Sequence, residues 1–187
     1  MADRWFLAGA VGLAGFVGLE AAARRPGDAA SLEATAQDRN TTRALAASYV
    51  AAAALVPLAG RLPGGDLPAV TGPAGLGLEI AGLAIRGWAM VTLGRAYSRT
   101  LRVSDGQPVI DDGPYRFVRH PGYLGSIATW TGFALTSRRG IAVAGVVVLF
   151  GRAYGRRMMA EEAMLAATLP GYVDYMERTW RMLPGIW

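Results

Sequence analysis

The chain has 187 residues, of which 52% are hydrophobic, 25 are glycine and none is cysteine, and its formal net charge is +5. Counted with glycine and without tyrosine, about 61% of it is apolar, against the 45–50% of ordinary soluble domains. This composition excludes disorder, a disulfide scaffold and an ordinary soluble domain. The length favours one domain, residues 1–187.

Five apolar runs account for the excess hydrophobicity. They are Trp5–Leu19, Ala44–Gly60, Leu67–Gly94, Pro121–Ser137 and Gly140–Gly151. No run reaches 20 residues without a charge, which is the length that crosses about 30 Å of hydrocarbon. Taken together, however, the runs lack the polar stripe of soluble helices. They predict an all-α, polytopic membrane protein of about five transmembrane helices.

The basic residues are all arginine, and they are divided unequally between the two sides of the predicted spans. Fourteen lie on the side that holds residues 95–120 and the C-terminal tail, and four lie on the other. The positive-inside rule therefore places that loop and the tail in the cytoplasm and the N-terminus outside. Such a basic surface beside spans favours membrane lipids as partners and argues against nucleic acid.

The third run contains two charged residues, Glu79 and Arg86. Seven positions separate them, which is two helical turns on one face, so both are expected to point into the helix bundle. An intramembrane charge indicates a functional site, whereas pairing between helices is the structural alternative. The residues alone do not separate these two interpretations.

The stretch Arg95–His120 is the least apolar and is expected to be mostly loop, with a hairpin turn at Asp105–Gly106. It ends at His120, which the following Pro121 restricts to an extended turn immediately before the fourth run. Its ring and backbone are therefore available to a ligand. A metal site is not predicted, because the chain has no second histidine and no cysteine.

The fifth run continues without a helix breaker as far as Pro170, so one helix is expected to leave the membrane carrying Glu161 and Glu162. Arg157 lies four residues before Glu161, and the two could form a simple surface pair. Neighbouring positions on a helix point about 100° apart, so one glutamate can face a cleft while the other makes a structural contact. Such a cleft would suit a cationic ligand.

Residues 113–125 read Gly-Pro-Tyr-Arg-Phe-Val-Arg-His-Pro-Gly-Tyr-Leu-Gly. This segment resembles the Gly-Pro-Tyr-Arg-x-x-Arg-His-Pro-x-Tyr-x-Gly signature of the isoprenylcysteine carboxyl methyltransferase family, which is related to the membrane phospholipid methyltransferases. The resemblance continues through Glu161–Glu162 and the tail to Gly185. It covers residues 80–187, the predicted catalytic region, whereas the spans in residues 1–79 are similar only in topology.

The resemblance implies S-adenosylmethionine as the cofactor, whose sulfonium and ammonium groups a carboxylate would pair with. The residues it implies at the cofactor are Tyr115, His120, Pro121, Tyr123, Gly125, Glu161 and Glu162. The acceptor would be oriented by an arginine, and the candidates are Arg119, Arg86 and Arg178. Which glutamate and which arginine act is left open by the sequence, as is the oligomeric state.

The expected function is methyl transfer to a lipophilic acceptor, first of all a carboxylate such as that of an isoprenylated cysteine. N-methylation of a phospholipid and O-methylation of a lipid-like enol or phenol are the alternatives. A membrane reductase and a non-catalytic scaffold are less favoured. The cofactor would enter from the cytoplasm and the acceptor from the bilayer, in a multi-pass integral membrane protein.

Overall fold

Helices make up every regular element in the part of the chain that the structure, a computed structural model, describes: residues 4–23, 38, 40–63, 65–98, 101 and 106–186. The α-helices are α1 (Arg4–Ala22), α2 (Thr41–Ala59), α3 (Thr71–Leu93), α4 (Pro121–Thr136), α5 (Gly140–Thr168) and α6 (Tyr172–Glu177), and short 3-10 helices lie at Gly94–Ala96 and Gly113–Arg116. The first five begin within about four residues of the five apolar runs, so the predicted all-α class is confirmed. The expected hairpin turn lies partly outside the described residues.

Three helices, α1, α2 and α3, are long and apolar enough to cross a membrane. Between 11% and 28% of their most apolar windows is buried inside the protein, so most of their apolar surface faces outwards, as it does in lipid. Helix α4 has only 16 residues, and α5 is charged in its second half. A total of five spans therefore stays a prediction.

Helices α3 and α4 pack in close contact through glycines spaced seven residues apart. Gly82 faces Gly125, and a methyl group on Gly82 would lie 2.6 Å from the Gly125 carbonyl oxygen and 2.5 Å from the Thr129 amide nitrogen. Two helical turns further along α4, a methyl group on Gly132 would lie 2.6 Å from the Gly75 carbonyl oxygen. Small residues at such spacing let two helix backbones approach closely in a membrane.

The apolar core lies among α1, α2, α4 and α5 and is dominated by aromatic rings. Trp130 packs against Phe16, Tyr49, Phe133 and Phe150, with ring centroids 5.3–6.3 Å apart. One cluster of buried side chains joins four of the helices, and the single domain stays a prediction.

The helix bundle has two ends that carry different loops. At one end the α2–α3 loop meets the α4–α5 loop, where Arg139 pairs with Asp66 at 3.0 Å and the Leu67 amide donates to the Arg138 carbonyl at 2.8 Å. At the other end lie the loop before α4, the end of α5 and the tail. This second end is called the motif end below.

Both charges of the third apolar run, now in α3, are buried, as predicted. They do not take each other as partners, since Arg86 pairs with Glu20 of α1. Neither carboxylate oxygen of Glu79 has a hydrogen-bond partner in the described part of the chain. Glu79 instead lies against the backbone of α1, which reaches it because Gly9 and Gly12 have no side chain.

The α3–α4 contact predicts unequal effects of two glycine substitutions on one helix. Gly82→Ala should lower the stability by about 1–3 kcal/mol, because the added methyl group forces the two backbones apart. Gly77→Ala is the matched control, since nothing lies within 4 Å of a methyl group there. The measurement is the thermal midpoint of unfolding in detergent. Equal midpoints for the two variants would contradict close backbone packing at Gly82.

Candidate active site

The turn before α4 is held in place by the C-terminal tail. His120 precedes the helix with φ −123° and ψ 53°, and Pro121 occupies the first helical position, where a missing N–H costs nothing. The Arg119 amide donates to the Trp180 carbonyl at 2.8 Å, and the His120 amide donates to the Arg181 carbonyl at 3.1 Å. The tail therefore fixes the backbone that carries the histidine.

Glu162 of α5 is the buried carboxylate that ties this turn to the rest of the motif end. It accepts hydrogen bonds from Arg119 Nε at 2.9 Å and Arg181 Nη2 at 2.7 Å, and its Oε1 lies 3.2 Å from His120 Nε2. Burial would raise the pKa of the Glu162 carboxyl, but the bonds from His120, Arg181 and Arg119 outweigh it and hold the pKa well below its usual range. The stabilisation from this cluster is therefore present above the pKa of the unfolded carboxyl and is lost only as the pH falls through the folded value.

Glu161 has a different environment. Its Oε2 accepts a hydrogen bond of 2.7 Å from the Tyr123 hydroxyl and lies 3.6 Å from His120 Nδ1. Its side chain is 26% exposed, whereas that of Glu162 is 5% exposed. The two neighbouring glutamates thus divide as the helical geometry predicts: Glu162 makes the structural contact and Glu161 lines a cavity.

Arg157 is a residue of this site that the sequence analysis missed. Its Nε donates to the Tyr123 hydroxyl at 2.9 Å, and its Nη1 donates to Thr42 Oγ1 at 2.9 Å and lies 3.3 Å from Asp38 Oδ1. The residue is only 2% exposed, so interpreting it as half of a surface pair with Glu161 is wrong. Its position one helical turn from Glu161, on the same face of α5, is the signal that could have identified it.

Arg86 of α3 lies where α1, α4 and the loop that follows α3 meet. Its Nε donates to Glu20 at 2.6 Å, and its Nη2 also pairs with Glu20 and lies 3.4 Å from the Tyr97 hydroxyl. Its Nη1 donates to Ser126 Oγ at 2.6 Å and to the Gly122 carbonyl at 2.9 Å. All five N–H groups of the guanidinium are thereby engaged.

A cavity of about 660 Å³ opens among these residues. Its polar lining comes from α1, α3, α4, α5 and the loops of the motif end: Glu20, Arg86, Tyr115, Arg119, His120, Tyr123, Arg157 and Glu161. Its apolar lining comes chiefly from α1, α2 and the core: Leu13, Phe16, Val17, Leu45, Val50, Ala53 and Trp130. One space is therefore bounded by charged groups and by apolar helix faces, as a site for a ligand with a polar head and an apolar tail requires.

The structure brings most, but not all, of the predicted site residues to this cavity. Those that line it are Tyr115, His120, Tyr123, Glu161, Arg86 and Arg119. Three others are in its supporting structure: Pro121 starts α4, Gly125 lies in the α3–α4 contact, and Glu162 holds the turn. Arg178 lies outside the cavity lining, since its side chain is 59% exposed and pairs with Asp111 at 2.7 Å.

Two tyrosines of α6, which the sequence analysis did not propose as site residues, also line the cavity. Tyr172 and Tyr175 are buried against Leu169, and the Tyr175 hydroxyl donates to the Tyr115 carbonyl at 2.7 Å. Burial raises the pKa of both phenols, so their hydroxyls stay neutral. They were not proposed as site residues, because the fold of the tail over the cavity has no signal in the sequence.

The helical membrane fold defines the class of the chain, an integral membrane protein, and the cavity between its helices has both a polar and an apolar lining. The comparisons with known proteins show which family the chain is similar to. The isoprenylcysteine carboxyl methyltransferase (ICMT) family model matches residues 75–167, about half of the chain. The family resemblance of the His-Pro signature is thereby confirmed.

Relatives and a solved structure agree with this match. A probable protein-S-isoprenylcysteine O-methyltransferase of Oryza sativa subsp. indica is 30% identical over 115 residues, which are 60% of each protein. Protein-S-isoprenylcysteine O-methyltransferase B of Arabidopsis thaliana is 26% identical over 107 residues, 56% of this chain and 54% of the relative. The chain thus spans about 60% of the length of the rice relative.

The fold is similar to that of the eukaryotic intramembrane Ras methyltransferase ICMT, with a TM-score of 0.56 and 21% sequence identity. The alignment covers 61% of this chain and 42% of that one. At this identity the likeness establishes the fold: the chain has an ICMT-like, membrane-embedded helical architecture.

Proposed function

We propose that this chain is a membrane methyltransferase that transfers a methyl group from S-adenosylmethionine to the carboxylate of a lipophilic acceptor, such as an isoprenylated cysteine. The observation that carries the proposal is the cavity, in which Glu161 and Arg86 share one space with the apolar faces of α1 and α2. The names of the matched relatives supply the reaction and the acceptor.

The groups around Glu161 fit S-adenosylmethionine. A carboxylate inside the cavity complements the sulfonium and ammonium charges of this cofactor, and the aromatic rings of Tyr115 and Tyr172 in the same lining can also attract a cation. The Tyr123 hydroxyl, which donates to Glu161 and accepts from Arg157, fixes the direction in which the carboxylate points. When bound, the cofactor supplies an already activated methyl group, so the protein's task is alignment and exclusion of water.

Arg86 is the arginine that we assign to the acceptor. A carboxylate is already nucleophilic and needs a cation to orient it rather than a general base. Arg119 also lines the cavity, but its guanidinium is directed to Glu162 and to the Met176 and Thr179 carbonyls, so we assign it to positioning the turn. Arg178 is exposed and outside the lining, and we give it no role at the acceptor.

The motif end is proposed to face the cytoplasm. The positive-inside rule favours this orientation, because more of the arginines in the described part of the chain lie at that end than at the other. It would bring the soluble cofactor to the polar lining directly, while the acceptor reaches the apolar lining from the bilayer.

The first prediction from this proposal concerns the cofactor. Glu161→Gln should weaken S-adenosylmethionine binding by about 1–3 kcal/mol, because a charge-assisted contact is lost, and it should leave the thermal midpoint nearly unchanged. Glu162→Gln should lower the thermal midpoint, since it opens the cluster of Arg119, Arg181 and His120. Calorimetry with the cofactor and thermal unfolding in detergent measure both, with the exposed Glu177→Gln as the charge-matched control. Parent-like cofactor affinity in Glu161→Gln would exclude this carboxylate from the cofactor site.

The second prediction concerns the acceptor. With radiolabelled S-adenosylmethionine, the parent protein should place label in a base-labile methyl ester when it is offered N-acetyl-S-farnesylcysteine, and Arg86→Gln should abolish it. Phosphatidylethanolamine and an alkyl phenol are assayed in parallel. If only phosphatidylethanolamine or only the phenol is labelled, the acceptor group is an amine or a phenol rather than a carboxylate, and the proposal of methyl transfer still holds. Label in none of the three would contradict the proposed reaction.

The third prediction concerns orientation, and the absence of native cysteine makes it direct. Single cysteines at Thr168 of α5 and Ala69 in the α2–α3 loop, both exposed, should react with membrane-impermeant maleimide from opposite sides. In intact cells only Ala69→Cys should be labelled, and Thr168→Cys should require permeabilised membranes. The reverse pattern would invert the proposed orientation.

A further inference from the structure

Glu20 places a carboxylate of the protein on the arginine that the proposed function assigns to the acceptor. It approaches from the end of α1 and takes both the Nε and the Nη2 edge of the Arg86 guanidinium. Both nitrogens contact the same oxygen, Oε1, while Oε2 accepts a hydrogen bond of 3.3 Å from the Tyr97 hydroxyl. Glu20 thus covers, with one oxygen, the edge of the guanidinium at which an incoming carboxylate could bind through both of its oxygens. Glu20 also lines the cavity, and its side chain is 21% exposed against 8% for that of Arg86.

The remaining N–H groups of Arg86 belong to the scaffold. Its Nη1 is held by the Ser126 hydroxyl and the Gly122 carbonyl at the start of α4, and the close α3–α4 contact fixes both. An incoming acceptor carboxylate can therefore reach the guanidinium in two-point geometry only at the edge that Glu20 covers. Binding the acceptor requires displacing Glu20.

We propose that Glu20 is a specificity-determining residue of the methyl-transfer site, a carboxylate that occupies the acceptor's place on Arg86 and exchanges with it. The inference rests on the proposed function. Displacement leaves Arg86 paired, so the cavity never holds an uncompensated cation, the costly state in a low-dielectric site. A neutral ligand cannot displace Glu20 in this way, and the exchange therefore selects for anionic acceptors.

The same exchange assists product release. In the reaction the methyl–sulfur bond breaks with its electron pair going to sulfur, and a carboxylate oxygen forms the new bond to the methyl carbon. The acceptor changes from an anion into a neutral ester, and the cofactor becomes a neutral thioether. Once the ester has lost its charge, Glu20 competes with it on favourable terms and returns to Arg86.

The test compares the acid and its methyl ester on charge-altered variants. Glu20→Gln should lower the KM for N-acetyl-S-farnesylcysteine about tenfold, since the competitor becomes neutral, and should leave inhibition by N-acetyl-S-farnesylcysteine methyl ester unchanged. Glu20→Asp keeps the charge but has a shorter side chain, so its KM for the acid should lie between those of the parent and of Glu20→Gln. Glu177→Gln should have the KM of the parent. The thermal midpoint with S-adenosylhomocysteine bound checks folding, and Glu20→Asp carries the comparison if Glu20→Gln does not fold.

Two results would overturn the exchange. One is an unchanged or higher KM in both Glu20 variants, which would make Glu20 a residue that only holds Arg86 in place. The other is an equal gain in affinity for acid and ester, which would indicate a wider cavity rather than a lost competitor. Calorimetric binding of the acid to the S-adenosylhomocysteine complex separates this question from the reaction: if the parent binds the acid without methylating it, the proposed function fails, and the affinities of the variants still decide the exchange.

Discussion

The motif end is organised around one buried carboxylate, Glu162. A single α5 side chain accepts hydrogen bonds from Arg119 before α4 and Arg181 in the tail, and lies beside the His120 ring. An isolated carboxylate in this position would be costly, and two guanidinium groups repay that cost only if the loop and the tail are both in place. The turn before α4 and the tail, which are about 60 residues apart in the chain, are thereby held together. They form one wall of the cavity.

The position of Arg86 depends on a second constraint, the close contact of α3 and α4. Where the two backbones meet at Gly82 and Gly125, the Arg86 side chain reaches the first turn of α4 and bonds to Gly122 and Ser126. A larger residue at either glycine would move the guanidinium away from the turn. Gly125 of the signature is thus better explained by helix packing than by a direct cofactor contact, and its presence in the motif reflects the geometry that the site needs.

The sequence predicted the helices well because their cause is local: apolar runs bounded by Gly, Pro and Arg have one solution in a membrane. It also brought His120 and the glutamate pair together, through the family resemblance. It could not distinguish Glu161 from Glu162, since that depends on how α5 is rotated against the turn. Arg157 and Glu20 were missed for a related reason, because their partners lie 34 and 66 residues away and no spacing announces such contacts.

Charge pairing around the cavity also explains why a small protein can keep three arginines there. Arg86, Arg119 and Arg157 are each paired with a carboxylate, from Glu20, Glu162 and Asp38. Glu161, in contrast, accepts its hydrogen bond from a neutral phenol. Since each of these three arginines has a carboxylate partner of its own, the Glu161 carboxylate, bonded to a phenol, faces the cavity. At a position that is only 26% exposed, a carboxylate attracts a cation more strongly than it would at the open surface, which is the electrostatic condition that a sulfonium cofactor requires.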